Sequence, residues 1–308
     1  MQLFSSPIDF LKYRKLTALV SVILIVGSCF FLFARGLNFS LDFTGGTVIE
    51  VAYPEPVQVA NVREVLAQAG FGDAVVQHYG STQSVLIRLA PQETQGVALN
   101  QALLAALQAE NPAVVLKRAD EVGAQIGKEM AEQGALAILI ALIGTAIYIA
   151  VRYEYRFAIG AAVALMHDPL VILGIFAMLQ IEFDLPALAA ILAIIGYSLN
   201  DTIVVFDRIK ENFLKMRKNT TEEIVNASLN QTLSRTLMTS FLTLLVVIAL
   251  LLFGGSSLFG FSLALTIGII VGTYSSIYIA SSLSLALGLS RKDLIKVIEK
   301  NAVEDERP

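Results

Sequence analysis

The chain has no tryptophan, one cysteine and two histidines among 308 residues, and only 16% of those residues are charged. Each shortage removes a class of function. The single cysteine, Cys29, sits in an apolar run and cannot close an intrachain disulfide. No Cys, His or carboxylate cluster with metal spacing accompanies His78, which reads as a surface or edge histidine rather than a ligand. No phosphate-binding loop, nucleophile elbow or zinc motif occurs anywhere in the chain. A net charge of −4 and a pI near 5.3 leave no basic excess to neutralise a phosphate backbone, so nucleic acid is not an expected partner. The expectation is a chain that is not an enzyme and holds neither metal nor organic cofactor.

Hydrocarbon is what the chain has in excess. Hydrophobic residues make up 56% of it and the mean hydropathy is +0.69, too apolar for an ordinary soluble domain. A bilayer core of about 30 Å needs about 20 apolar residues as a helix. Six stretches qualify: 16–34, 134–151, 157–179, 185–206, 236–254 and 258–288. The last two belong to one charge-free run, split by Gly254-Gly255-Ser256-Ser257, a turn. Lys12, Arg14 and Lys15 before the first stretch have the look of a signal peptide, but the run is too long and no small-residue cleavage site follows, so it reads as an uncleaved first span. Lys and Arg flank spans one, two, four and six at one end, whereas the short loops after spans three and five contain none. Both termini are therefore expected in the cytoplasm.

This gives a division of the chain. Residues 1–15 form a cytoplasmic N-terminus, 16–35 the first membrane helix, 36–128 an extracytoplasmic domain, 129–290 a five-helix bundle, and 291–308 a cytoplasmic tail. Within 36–128 the pattern reads strand 47–53, helix 57–69, strands 75–79 and 85–89 around Gly80-Ser81, helix 97–109 and strand 114–118. That β-α-β-β-α-β order suggests an α+β ferredoxin-like domain. Gly45-Gly46, between span one and the first strand, suits a tight turn, a close backbone approach or a hinge.

Polar residues inside the spans carry the functional argument. An intramembrane carboxylate costs about 2.5 to 3.5 kcal/mol on insertion scales and points to an ion path or a switch. Span three carries His167-Asp168 roughly 15 Å from its cytoplasmic end, at 1.5 Å per residue. Span four carries Tyr197, Ser198, Asn200 and Asp201, with Tyr197 and Asp201 on one stripe. Arg235, at the start of span five, is the fixed positive charge expected to partner Asp201, either as a structural ion pair or as a proton switch. One proton falling through 100 mV releases about 2.3 kcal/mol, enough to release or recapture an arginine. Asp207 and Arg208 read as a solvated helix end.

Span six repeats small residues every four positions, Ala264, Gly268, Gly272, Ser276, Ala280, Ser284 and Gly288, which suits close helix packing. Thr220 and Glu223 stand at capping-box spacing and open an amphipathic helix near 221–235, with Ile224, Val225, Leu229 and Leu233 opposite Asn226, Asn230 and Gln231.

With these features the chain resembles the SecF subunits of the SecD–SecF protein-export complex, in the resistance-nodulation-division superfamily. The resemblance rests on Leu41-Asp42-Phe43-Thr44-Gly45-Gly46-Thr47, Glu121-Val122-Gly123, His167-Asp168, Gly196-Tyr197-Ser198-Leu199-Asn200-Asp201 running to Asp207-Arg208, Gln231-Thr232-Leu233, Arg235-Thr236 and Phe253-Gly254-Gly255. It implies pairing with SecD, association with the SecYEG translocon in the bacterial inner membrane and contact with translocating preproteins, and it leaves room for a small accessory membrane subunit. It implies protons as the coupling ion, with Asp201 and Arg235 supporting their movement. Tyr153-Glu154-Tyr155 stands where such proteins often have a tryptophan; Tyr and Phe can supply the interfacial belt instead.

Two other functions compete. Small-molecule efflux pumps of the same superfamily resemble two such six-span units in one chain with larger inserts, and this chain has one unit with a modest insert. An intramembrane hydrolase built on His167, Asp168 and Asp201 lacks a nucleophile and a second membrane histidine for metal.

Overall fold

The computed structural model describes residues 7–91 and 97–290; the expected tail 291–308 lies outside the described residues. The chain separates into two compact units, residues 39–136 and a second built from the stretches before and after them.

In the 39–136 unit, alternation of β-branched residues makes β1 (Gly46–Ala52), and β2 (Val75–Tyr79) and β3 (Ser81–Leu89) form a hairpin. The last strand is β4 (Val115–Val122), and α2 (Val59–Gln68) and α3 (Val97–Glu110) complete the unit. The sheet order is β2-β3-β1-β4 with every pairing antiparallel. Ile49 pairs with Ile87 and Val51 with Val85, and all four are buried. Leu99, Leu103 and Leu107 recur every four residues along α3, and Val62 and Leu66 do so along α2, so each helix buries one stripe in the same core. β3 begins four residues earlier than the sequence pattern suggests. Its extra residues, Ser81 to Ser84, are polar but still complete the ladder to β1 and β2.

The second unit contains most of the membrane-crossing material. Among the described residues, six helices are long and apolar enough to cross a bilayer: Leu11–Ala34, Ala124–Arg152, Tyr155–Leu179, Leu185–Lys215, Thr221–Phe253 and Ser257–Ala286. Their regular α-helical parts are α1 (Arg14–Ala34), α4 (Ala124–Arg152), α5 (Tyr155–Leu179), α6 (Leu185–Lys215), α7 (Thr221–Phe253), α8 (Ser256–Tyr274) and α9 (Ser281–Ala286), with a π-helical turn at Ser275–Ala280 joining the last two. The first turns of α4 belong to the 39–136 unit. There Gly127 approaches Gly45 so closely that a Cβ on Gly127 would lie 2.6 Å from the Gly45 nitrogen.

Helix ends follow local chemistry. Asp184 caps α6 by accepting from Ala187 N at 2.8 Å, ahead of Pro186 in the first turn, where its missing N–H costs nothing. Thr220 and Glu223 form the reciprocal capping box of α7. The amphipathic stretch 221–235 is not a separate surface helix. It runs without a break into span five, giving one 33-residue helix. Its asparagines clamp the chain start: Asn226 Oδ1 accepts from Phe10 N at 2.9 Å and Asn230 Oδ1 from Ile8 N at 2.8 Å, while both Nδ2 groups donate to the Ile8 carbonyl. Polarity on that face is spent on backbone groups, which hydropathy alone cannot distinguish from exposure to water.

Candidate functional site: a polar layer within the helix bundle

α5, α6 and α8 meet where glycine lets backbones approach. A Cβ on Gly268 would lie 2.5 Å from Cγ1 of Ile194, and one on Gly272 would lie 3.1 Å from Cβ of Ser198. Ser276 continues the contact, its hydroxyl 2.9 Å from that of Thr202 and donating to the Ser198 carbonyl at 3.2 Å. Further along, Gly160 of α5 takes over, since a Cβ there would meet Ser284 Oγ at 2.4 Å and the Ala280 carbonyl at 2.6 Å. The small-residue stripe therefore passes from α6 to α5, as the drift of a four-residue repeat around a 3.6-residue helix requires.

This close packing assembles a buried polar layer. His167 and Asp168 lie side by side on α5, next to Pro169, whose ring removes one backbone donor from the turn. His167 Nδ1 is 3.0 Å from Asp168 Oδ1. The other oxygen, Oδ2, accepts from Ser198 Oγ at 2.6 Å and from Ser275 Oγ at 2.9 Å. Asp168 is thus engaged at both oxygens, by α5 itself, α6 and the π-helical turn. Ser275 escapes the sequence reading because a four-residue repeat selects Ser276, whereas the wider π-helical turn brings both serines to neighbouring elements.

Asp201 has a different environment. It is 4% exposed, one turn from Ser198 on α6, and its Oδ2 has no hydrogen-bond partner among the described residues. Arg235, on α7, is exposed and makes no direct ion pair with Asp201 among the described residues. Burying a carboxylate oxygen without a hydrogen-bond partner is costly.

The remaining predicted residues separate by face. The Tyr197 hydroxyl donates to Ser240 Oγ at 3.5 Å, and Ser240 Oγ lies 2.7 Å from Thr273 Oγ1, linking α6, α7 and α8. Asn200 is exposed and stands apart from the buried layer. Its stripe, Ala189, Ala193, Gly196 and Asn200, is an uncovered face of α6. Asp207 is more than a solvated helix end: it accepts from the Tyr153 hydroxyl at 2.9 Å, with Arg152 at 3.5 Å. Tyr153 is pushed well above the ordinary tyrosine range, first by burial and then by its bond to Asp207. In the 39–136 unit, Gly45 has φ +67° and Gly46 φ +115°. A Cβ would lie 2.7 Å from Ala124 Cα at Gly45 and 2.2 Å from the Leu89 carbonyl at Gly46. Both glycines are held at close backbone contacts. His78 is exposed on β2, and no group of His, Cys, Asp and Glu suited to a metal occurs among the described residues.

Comparison with known proteins fits this architecture. Residues 102–290 match the family described as protein export membrane protein SecD/SecF, C-terminal, and residues 30–56 match the SecD/SecF GG motif, which contains Gly45-Gly46. The protein translocase subunit SecF of Vibrio alginolyticus is 48% identical, covering 98% of this chain and 97% of that protein. Its counterpart in Pseudomonas aeruginosa is 46% identical over 99% of both chains. The crystal structure of SecDF from Thermus thermophilus, a translocon-associated membrane protein, superposes with a TM-score of 0.83 at 38% identity over 93% of this chain, which spans 39% of that longer polypeptide. A SecDF structure in a super-membrane-facing form gives a TM-score of 0.67 at 35% identity. This multi-pass membrane chain belongs to the SecD/SecF family of protein-export membrane proteins, among its SecF subunits.

Proposed function

We propose that the chain pairs with a SecD subunit at the SecYEG translocon of the bacterial inner membrane and uses the proton motive force to promote late steps of preprotein translocation. The observation that carries this reading is the contrast between two membrane carboxylates. Asp168 has both oxygens engaged, whereas Asp201 keeps a buried oxygen without a hydrogen-bond partner among the described residues. A saturated carboxylate holds helices together, and an unsaturated one is free to exchange a proton. In this reading, protonation of Asp201 weakens its attraction to Arg235, α6 and α7 shift against each other, and the 39–136 unit on the outer side moves with them. The Lys and Arg at one end of the helices support a cytoplasmic placement of both termini.

The uncovered face of α6 supports a membrane partner. Ala189, Ala193, Gly196 and Asn200 offer little hydrocarbon to lipid and include an amide, a pattern suited to a second helix packed closely against it. The test is export of a preprotein into inner-membrane vesicles that contain this chain together with its SecD partner, with and without a proton gradient. Gradient-stimulated export that requires this chain supports the proposal; equal export in vesicles lacking it refutes it.

A further inference from the structure

A half-open cleft of about 430 Å³ runs along the membrane unit between α1, α5 and the last helix, away from Asp201. Its lining changes character along its length. Arg14 and Lys15 stand at one end. Thr17 and Ser21 line it further along α1, Val22 and Ile25 continue it, and His167 contributes to the wall. From Arg14 to Ile25 the helix rises by about 16 Å at about 1.5 Å per residue. That matches one leaflet of a hydrocarbon core about 30 Å thick. The order of charge, hydroxyls and hydrocarbon is that of a glycerophospholipid lying along the membrane normal.

We propose that this cleft holds one anionic glycerophospholipid from the leaflet nearest the chain start, its phosphate at Arg14 and Lys15 and one acyl chain reaching toward His167. Charge complementarity selects the occupant. Lys15 is exposed and forms no ion pair among the described residues. Arg14 pairs with Glu222 at 2.6 Å, yet that bond uses one nitrogen of a group with five N–H donors, leaving others for a phosphate. The Thr17 hydroxyl shares its one proton between the Tyr13 and Arg14 carbonyls. The walls below the mouth are mainly apolar, which disfavours a column of water.

Absence of tryptophan makes the test direct. The full chain carrying Ile25→Trp, at a half-buried position, is reconstituted into vesicles of phosphatidylcholine with increasing brominated phosphatidylglycerol, and fluorescence quenching is compared with that at Val246→Trp, an exposed position on α7. One uncompensated cation near an anionic headgroup corresponds to about a fivefold preference. The expected result is about fivefold preference for brominated phosphatidylglycerol over brominated phosphatidylcholine in the cleft, none at Val246→Trp, and loss of the preference on adding Lys15→Gln. Equal preference at both reporters, or a preference that survives Lys15→Gln, overturns the proposal. So does a cleft tryptophan that neither brominated lipid quenches, the mark of a water-filled cleft.

Discussion

Ser198 Oγ lies 2.6 Å from Asp168 Oδ2, and this bond ties α6 to α5 inside the membrane unit. It draws a structural distinction that residue type alone does not make, because it engages one membrane carboxylate while Asp201, three residues further along the same helix as Ser198, keeps an oxygen without a hydrogen-bond partner among the described residues.

Ser198→Ala removes one of the two donors to Asp168 Oδ2 and leaves Ser275. Losing a buried hydrogen bond costs about 1 to 3 kcal/mol, so the variant should unfold at measurably lower temperature in detergent. Adding Ser275→Ala should cost more than the sum of the two single changes. Unchanged thermal unfolding in the double variant would mean that Asp168 is satisfied by other means.

Gly268→Ala places a methyl group 2.5 Å from Ile194 Cγ1. Overpacking of this kind costs about 1 to 3 kcal/mol. Ile194→Ala should recover part of that loss by opening the space, giving a favourable coupling in a double-mutant cycle. Additive losses would show that α6 and α8 do not meet at this pair.

Asn230→Ala combined with Asn226→Ala removes the side-chain bonds that hold Ile8 and Phe10 to α7. Amide exchange at Ile8 and Phe10 should rise by at least tenfold, while the core of α5 stays protected. Equal protection in wild type and variant would show that the clamp contributes nothing to order at the chain start.

In the 39–136 unit, Tyr53 is pushed up to about 12, first by burial and then by the negative charge of Glu110. A folded value above the unfolded value of 10.0 means that the folded state holds its proton more tightly. The stabilisation is complete below pH 10 and is lost as pH rises through about 12. Tyr53→Phe should flatten the alkaline fall in stability across that window and remove one late step from the phenolate absorbance at 295 nm. An identical alkaline profile in the variant would contradict the assignment.

Most of the architecture is written in the hydropathy, because 20-residue apolar runs and period-two strands leave large compositional signals. The Val75–Tyr79 strand and the Thr220–Glu223 capping box follow from local rules alone. Other features depend on partners distant in the chain. Asn226 and Asn230 look like a wet helix face until their bonds to Ile8 are known, and Asp207 looks solvated until Tyr153 is placed against it. Ser275 and Gly127 carry no signal of their own, since a serine in a π-helical turn and a glycine against Gly45 gain meaning only from backbone approach. Asp168 and Asp201 are equally conspicuous as intramembrane carboxylates, and only their hydrogen bonds separate them.

The central claim, that Asp201 is the carboxylate that couples proton movement to export, is tested most directly by comparing wild type with Asp201→Asn in vesicles containing the chain and its SecD partner. Preprotein export is measured with and without a proton gradient, and assembly of the pair is checked by co-purification. The account predicts that the substitution abolishes the gradient-dependent part of export while the pair still assembles. Gradient-dependent export at the wild-type level in Asp201→Asn would contradict it and place the proton route on other residues.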